Sequence, residues 1–206
     1  MDQSDDSSGG RPGAVPRHTG TRLTVALPAA AADLPVVEIL DELAAAVEQH
    51  GTAIVAAPPG AGKTTIVPLF LIDQPWMRGK IVMLEPRRLA TRAAAQRMAD
   101  LLGCSVGDRV GYQTRDERRI SRDTQIEVVT EGVLTRRLQH DPELPGVGLV
   151  IFDEVHERNV PTDVGMAFAV DARSSIRPDL RLLAMSATPD LSKLQRVLTD
   201  APIVES

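Results

Sequence analysis

Short unbroken apolar runs alternate along this chain with longer stretches whose apolar residues recur at helical spacing. Residues 53–56, 80–84, 147–152 and 180–185 are nearly continuous hydrophobic segments, as expected of strands buried on both faces. Residues 109–113 and 125–130 are short, alternate in polarity and also read as strands. Helical patterns lie between them. In residues 36–50, Val36, Ile39, Leu40, Leu43 and Val47 fall on one face, and Gly51 provides the stop. Further helices are expected over 66–72, over 88–102 with Gly103 as terminator, and over 131–139, 162–172 and 191–198. Strands alternating with helices predict an α/β fold: a mostly parallel sheet with helices on both faces.

Composition adds boundaries. Residues 1–22 are rich in Ser, Asp, Gly and Pro with almost nothing to bury, so a disordered tail is expected there and a single domain over 23–206. Aromatics make up only 2% of the chain, so Ala, Val, Leu and Ile must build the core. One cysteine, Cys104, excludes an internal disulfide and a Cys-based metal cluster, as expected of a cytoplasmic protein. No stretch approaches the ~18 apolar residues of a membrane span, and the N-terminus carries no apolar secretory core. The net charge of −5 conceals a segregation. Residues 87–137 hold eleven Arg against seven acidic residues, while the segments on either side are net acidic. Such a band suits local contact with a polyanion, and equally suits a set of solvated helix faces.

Two segments carry recognisable chemistry. Ala57-Pro58-Pro59-Gly60-Ala61-Gly62-Lys63-Thr64-Thr65 follows one apolar run and precedes another, the strand, loop, helix order of a phosphate-binding P-loop. Gly60 and Gly62 permit the tight turn that aims backbone N–H groups at an oxyanion. Lys63 would supply charge to the β/γ-phosphates and the Thr64 hydroxyl would hold Mg²⁺. Position 57 is Ala where the usual pattern has Gly. The second segment, Asp153-Glu154-Val155-His156, ends the apolar strand 147–152, where ligand sites of parallel sheets lie. There Asp153 would hold the metal and Glu154 would orient or deprotonate water.

Polar clusters also follow three other predicted strands: Pro86-Arg87-Arg88, Thr130-Glu131-Gly132 and Ser186-Ala187-Thr188. With these in order, the chain resembles the superfamily 2 helicases of the DEAH/RHA group, and most closely the bacterial HrpB-type helicases. The resemblance is carried by APPGAGKTT (57–65), LEPRRLA (84–90), GYQTR (111–115), VVTEGVLTRRL (128–138), IFDEVHER (151–158) and MSAT (185–188). Val155 departs from the Ala of the name-giving motif.

The resemblance implies a RecA-like P-loop NTPase domain, the first motor domain of an ATP-dependent helicase. Gly60, Ala61, Gly62, Lys63, Thr64 and Thr65 would then bind ATP. Thr64, Asp153 and Glu154 would hold Mg²⁺ and activate water, with Lys63 counted among the catalytic groups. His156, Ser186 and Thr188 would relay nucleotide state, and Arg87, Arg88, Arg115 and Thr130 would contact a single strand of RNA or DNA. A second RecA-like domain would be the expected partner, absent from this chain, and the chain alone should hydrolyse little. Two other readings stay open: a P-loop ATPase that does not act on nucleic acid, and a non-catalytic nucleotide- or nucleic-acid-binding fragment. Arg92 and Arg97 are read as solvated helix-face residues.

Overall fold

The computed structural model describes residues 31–188 and 191–206, so the tail expected over 1–22 lies outside the described residues. Eight strands form one sheet: β1 (Thr52–Ala56), β2 (Lys80–Leu84), β3 (Val110–Gln113), β4 (Arg118–Arg119), β5 (Ile126–Val129), β6 (Val147–Phe152), β7 (Arg181–Ser186) and β8 (Ile203–Glu205). Their spatial order is β4-β3-β5-β2-β6-β7-β1-β8. Every pairing is parallel except β3 with β4. Six α-helices accompany them among the described residues: α1 (Leu40–His50) before β1, then α2 (Lys63–Leu71), α3 (Arg88–Leu101), α4 (Glu131–His140), α5 (Val160–Ser175) and α6 (Ser192–Val197) between strands.

Two cores flank the sheet. Alternate strand residues such as Val55, Ile81, Met83, Ile151 and Met185 pack with α1, α2 and α3. Their neighbours Ile54, Val82, Leu84, Phe152 and Ala184 pack with α4, α5 and α6. Because both faces are covered there, β1, β2, β6 and β7 are nearly continuous in apolar residues, which is why they read as unbroken runs.

The expected elements are all present, with shifted ends. The first helix opens with a 3-10 turn, Pro35–Ile39, before α1, and Gly51 closes it with a left-handed φ of 69°. α2 starts at Lys63, ahead of the apolar run, because the phosphate loop passes directly into its first turn. α5 runs longer than the apolar pattern and is capped by Asn159, whose side-chain oxygen accepts the Thr162 N–H at 2.9 Å. Strands β4 and β8 had no periodicity to reveal them. β4 is two exposed arginines placed by the preceding turn, and β8 is three residues added beside β1.

Strands β1, β7, β6, β2 and β5 are parallel and adjacent, with Ala56 opposite Ser186, Phe152 opposite Ala184, and Leu84 opposite both Phe152 and Val129. Their carboxyl ends therefore share one sheet edge, where all five polar segments emerge.

Candidate functional site

The phosphate loop leaves β1 at Ala56 and turns back through Gly60 (φ 80°) and Gly62 (φ 96°), conformations that glycine adopts without strain. At Gly62 a Cβ would also lie 2.9 Å from the Leu34 side chain. α2 begins at once, so its first-turn N–H groups face the loop's concavity. Lys63 is only 5% exposed and folds across the loop, donating to the carbonyls of Ala57 and Pro58, the latter at 3.0 Å. Burial pushes its ammonium below the usual lysine range, with the nearby carboxylates of Glu154 and Asp153 opposing that shift. A buried cation held only by carbonyl oxygens is a site prepared for an anion.

One strand over but one, β6 delivers Asp153 with no exposure at all. Its Oδ2 accepts the Thr64 hydroxyl at 2.6 Å and its Oδ1 accepts the Glu154 N–H at 2.9 Å. Glu154 itself sits at φ 53°, a conformation that costs a non-glycine residue about 1–3 kcal/mol and aims its side chain into the cleft. Thr64, Asp153 and Glu154 make an oxygen set that fits Mg²⁺, which takes one or two carboxylates and completes its shell with phosphate oxygens and water. No group of three or more His, Cys, Asp or Glu able to hold a metal occurs among the described residues.

His156, Ser186 and Thr188 also converge. His156 Nε2 lies 3.2 Å from Glu154 Oε2, and its Nδ1 accepts the Ala187 N–H at 3.2 Å, so the ring proton belongs on Nε2. Ser186 is fully buried and its hydroxyl accepts the Thr188 N–H at 3.2 Å. One chain of contacts thus links Glu154 through His156 to the turn after β7.

The cleft has two adjoining parts of about 340 Å³ each. Both are lined by Thr64, Thr65, Arg97 and Glu154, and the second adds Glu85 and Arg87. Arg97 is exposed, as a solvated helix-face residue should be, and it also lines the cleft. On α3 it follows Ala90, Ala93 and Ala94 on one face, and that stripe of small side chains lets the cleft reach it. Glu85 was not singled out at all. It is 3% exposed, ends β2 as Asp153 ends β6, and could have been noticed as a second carboxylate terminating an apolar strand.

Burial, with the charge of Asp153 adding to it, pushes Glu85 up to about 7. Burial likewise raises Asp153 to about 6, against the opposing Thr64 bond. The unfolded chain releases both protons near pH 4, whereas the folded chain keeps them until pH 6–7. These two groups therefore favour folding at acid pH, and their stabilisation is lost as pH rises from about 4.5 to 7. Glu85→Gln, which has no proton to lose, should gain thermal stability relative to the parent as pH increases from 5 to 8. Melting in EDTA should reveal a difference of up to about 3 kcal/mol at the alkaline end. A gap that does not change with pH would exclude this coupling.

Arg87, which lines the cleft, and Arg88 and Arg115 are exposed at strand ends, and Thr130 precedes α4. Arg92 pairs with Glu117 at 2.8 Å. Arg137 serves the fold: its Nη1 reaches buried Glu127 at 2.7 Å and its Nη2 reaches Gln113 at 2.7 Å, pinning α4 to β5 and β3. Burial alone would raise Glu127, but its bonds from Lys80 and Arg137 hold it below the usual carboxylate range.

The model of the DEAD/DEAH box helicase family matches residues 38–197. The chain belongs to the DEAD/DEAH box helicase family. Among relatives of this helicase domain, the ATP-dependent RNA helicase HrpB of Escherichia coli (strain K12) is 51% identical over 173 residues, covering 84% of this chain and 21% of that protein. The ATP-dependent RNA helicase DHX30 of Gallus gallus is 36% identical over 178 residues, covering 84% and 14% respectively. The crystal structure of the E. coli DEAH/RHA helicase HrpB superposes with a TM-score of 0.82 at 50% identity, over 84% of this chain and 22% of that one. A second crystal structure, of the E. coli DExH-box NTPase HrpB, gives 0.81 at 51% identity. The helicase domain described here thus spans about a fifth or less of the length of these relatives. No helix among its described residues is long and apolar enough to cross a membrane.

Lys63→Ala in this helicase domain should weaken binding of a fluorescent ATP analogue by about 10- to 100-fold, the effect of deleting a charged hydrogen-bond donor. Circular dichroism should be unchanged. Parental affinity in the variant would remove the loop from the nucleotide site.

Proposed function

We propose that this chain is the first RecA-like motor domain of an ATP-dependent RNA helicase, binding Mg-ATP in the cleft and one nucleic-acid strand along the adjacent loops. The observation that carries this reading is the meeting of five polar segments at the carboxyl ends of five adjacent parallel strands. That edge is where open α/β sheets bind ligands. Gly60 to Thr65 would cradle the triphosphate, Lys63 facing its β- and γ-phosphates. Thr64 and Asp153 would hold the Mg²⁺, which supplies charge neutralisation on the phosphates. Glu154 would take a proton from the attacking water, its carboxylate oriented by His156. His156, Ser186 and Thr188 would transmit the state of that site. Arg87, Arg88, Arg115 and Thr130 would grip the sugar-phosphate backbone, contacts that suit sequence-independent binding of a single strand. A cytoplasmic location and a second RecA-like domain as partner belong to the same reading. RNA over DNA is favoured because both curated relatives are described as RNA helicases.

The test is a salt titration of single-strand binding. A labelled oligouridylate should bind with log Kd falling steeply as salt is lowered. Replacing Arg87, Arg88 and Arg115 together by Ala should flatten the slope by about two units, from ~0.7 per phosphate on single strands. Salt-independent binding, or an unchanged slope in the triple variant, would place the strand elsewhere.

A further inference from the structure

The arginines of the strand-contact edge are not equally available. Arg87, 66% exposed, is paired with Glu157. Arg88 Nη1 lies 2.7 Å from Asp116 Oδ2, both side chains largely exposed. Arg115, by contrast, has no ion-pair partner among the described residues. The two carboxylates come from different neighbours. Glu157 closes the 3-10 turn after β6, three residues beyond Glu154, and Asp116 lies in the turn after β3. They thus approach the start of α3 from opposite sides of β2, where the strand's phosphates are proposed to lie.

A carboxylate and a phosphodiester each offer an arginine a pair of oxygens sharing one negative charge. Each partner therefore occupies the position a backbone phosphate would take. We propose that Glu157 and Asp116 are internal competitors for the nucleic-acid strand, holding Arg87 and Arg88 in the free protein and lowering affinity until phosphates displace them. The proposal rests on the strand-binding reading above. Its consequence for selectivity is direct: a ligand must offer phosphates spaced to displace both carboxylates, so an isolated anion competes poorly. Glu157 also lies in the turn that carries Glu154 and His156, so a shift of that turn would alter the competition at Arg87.

Exposed ion pairs contribute little individually, so the expected changes are modest and additive. Binding of a labelled 12-nucleotide oligouridylate is measured by anisotropy across a range of KCl concentrations for the parent, Glu157→Gln, Asp116→Asn and the double variant. Each amide should tighten binding by up to about fivefold. The double variant should tighten binding by about the product of the two while keeping a salt slope near the parent's, because the same phosphates are neutralised once the carboxylates are displaced. Glu48→Gln is the control for net charge. Glu48 is exposed near the end of α1, at the amino-terminal edge of the sheet, and its removal should change affinity by less than twofold.

If the parent binds and the amide variants bind no more tightly, or no more tightly than Glu48→Gln, the competition is overturned while strand binding stands. If the amides weaken binding, the carboxylates position the arginines rather than compete for them, and the proposal likewise fails. If neither parent nor variants bind, the strand-binding reading falls and takes the proposal with it.

Discussion

Glu154→Gln is expected to retain Mg-ATP affinity and to lose about two to four orders of magnitude in hydrolysis, the range for deleting a positioned general base. The geometry explains why this carboxylate and not its neighbours should matter most. Asp153 is wholly buried and already engaged by the Thr64 hydroxyl and the Glu154 N–H. Glu85 also lines the cleft, but in the free protein it holds its proton up to about pH 7. Glu154 has one oxygen facing the His156 N–H and lines both parts of the cleft. The amide keeps the shape and can still bond water, yet it cannot accept a proton. Asp153→Asn should behave differently, raising the Mg²⁺ concentration needed for nucleotide binding. Single-turnover assays with protein in excess over labelled ATP detect even slow cleavage. Unaltered cleavage in Glu154→Gln would transfer the role to another group, with Glu85 the nearest alternative.

A larger effect is expected from a cation supplied in trans. The cationic side chains lining the cleft are Lys63, Arg87 and Arg97, and every lining residue belongs to the segment before α1, the phosphate loop, α2, α3 or the ends of β2 and β6. In the proposed reading Lys63 is bound to the phosphates before reaction, and charge developing on the transferred phosphoryl group needs a further donor from the facing wall. Residues 1–206 alone should therefore bind Mg-ATP and turn it over only slowly, with or without RNA. Adding a matching second RecA-like domain, in trans or by fusion, should raise turnover by about 10³–10⁵, the range for an arginine finger. Replacing the candidate arginine in the added domain should remove that gain without changing ATP affinity. RNA-stimulated turnover by residues 1–206 alone at the rate of the combined domains would show that one wall suffices.

Much of this protein was legible in its residues. The central strands β1, β2, β6 and β7 are buried on both faces, so their apolar runs are nearly continuous, and their order with the helices predicts a mostly parallel sheet. The phosphate loop and the acidic pair were legible because their chemistry is local: adjacent residues in one turn create each of them, wherever the turn sits. What the linear chain could not show is which turns meet. Strand order brings β1 and β6 to either side of β7, so the Thr64 hydroxyl finds Asp153 across 89 positions of sequence. The same order sets Glu85 beside Asp153 out of water; burial raises both carboxyls, and the charge of Asp153 adds to the shift at Glu85. Arg97 and Arg137 have equally polar local sequence, yet one lines the cleft and the other locks α4 to the sheet. Arg87 and Arg115 likewise differ only in what the neighbouring strand ends deliver to them. Residue type and spacing determined the elements and the catalytic turns. Long-range strand pairing, whose register depends on packing of the whole sheet, decided which charges are buried, which are paired and which face solvent.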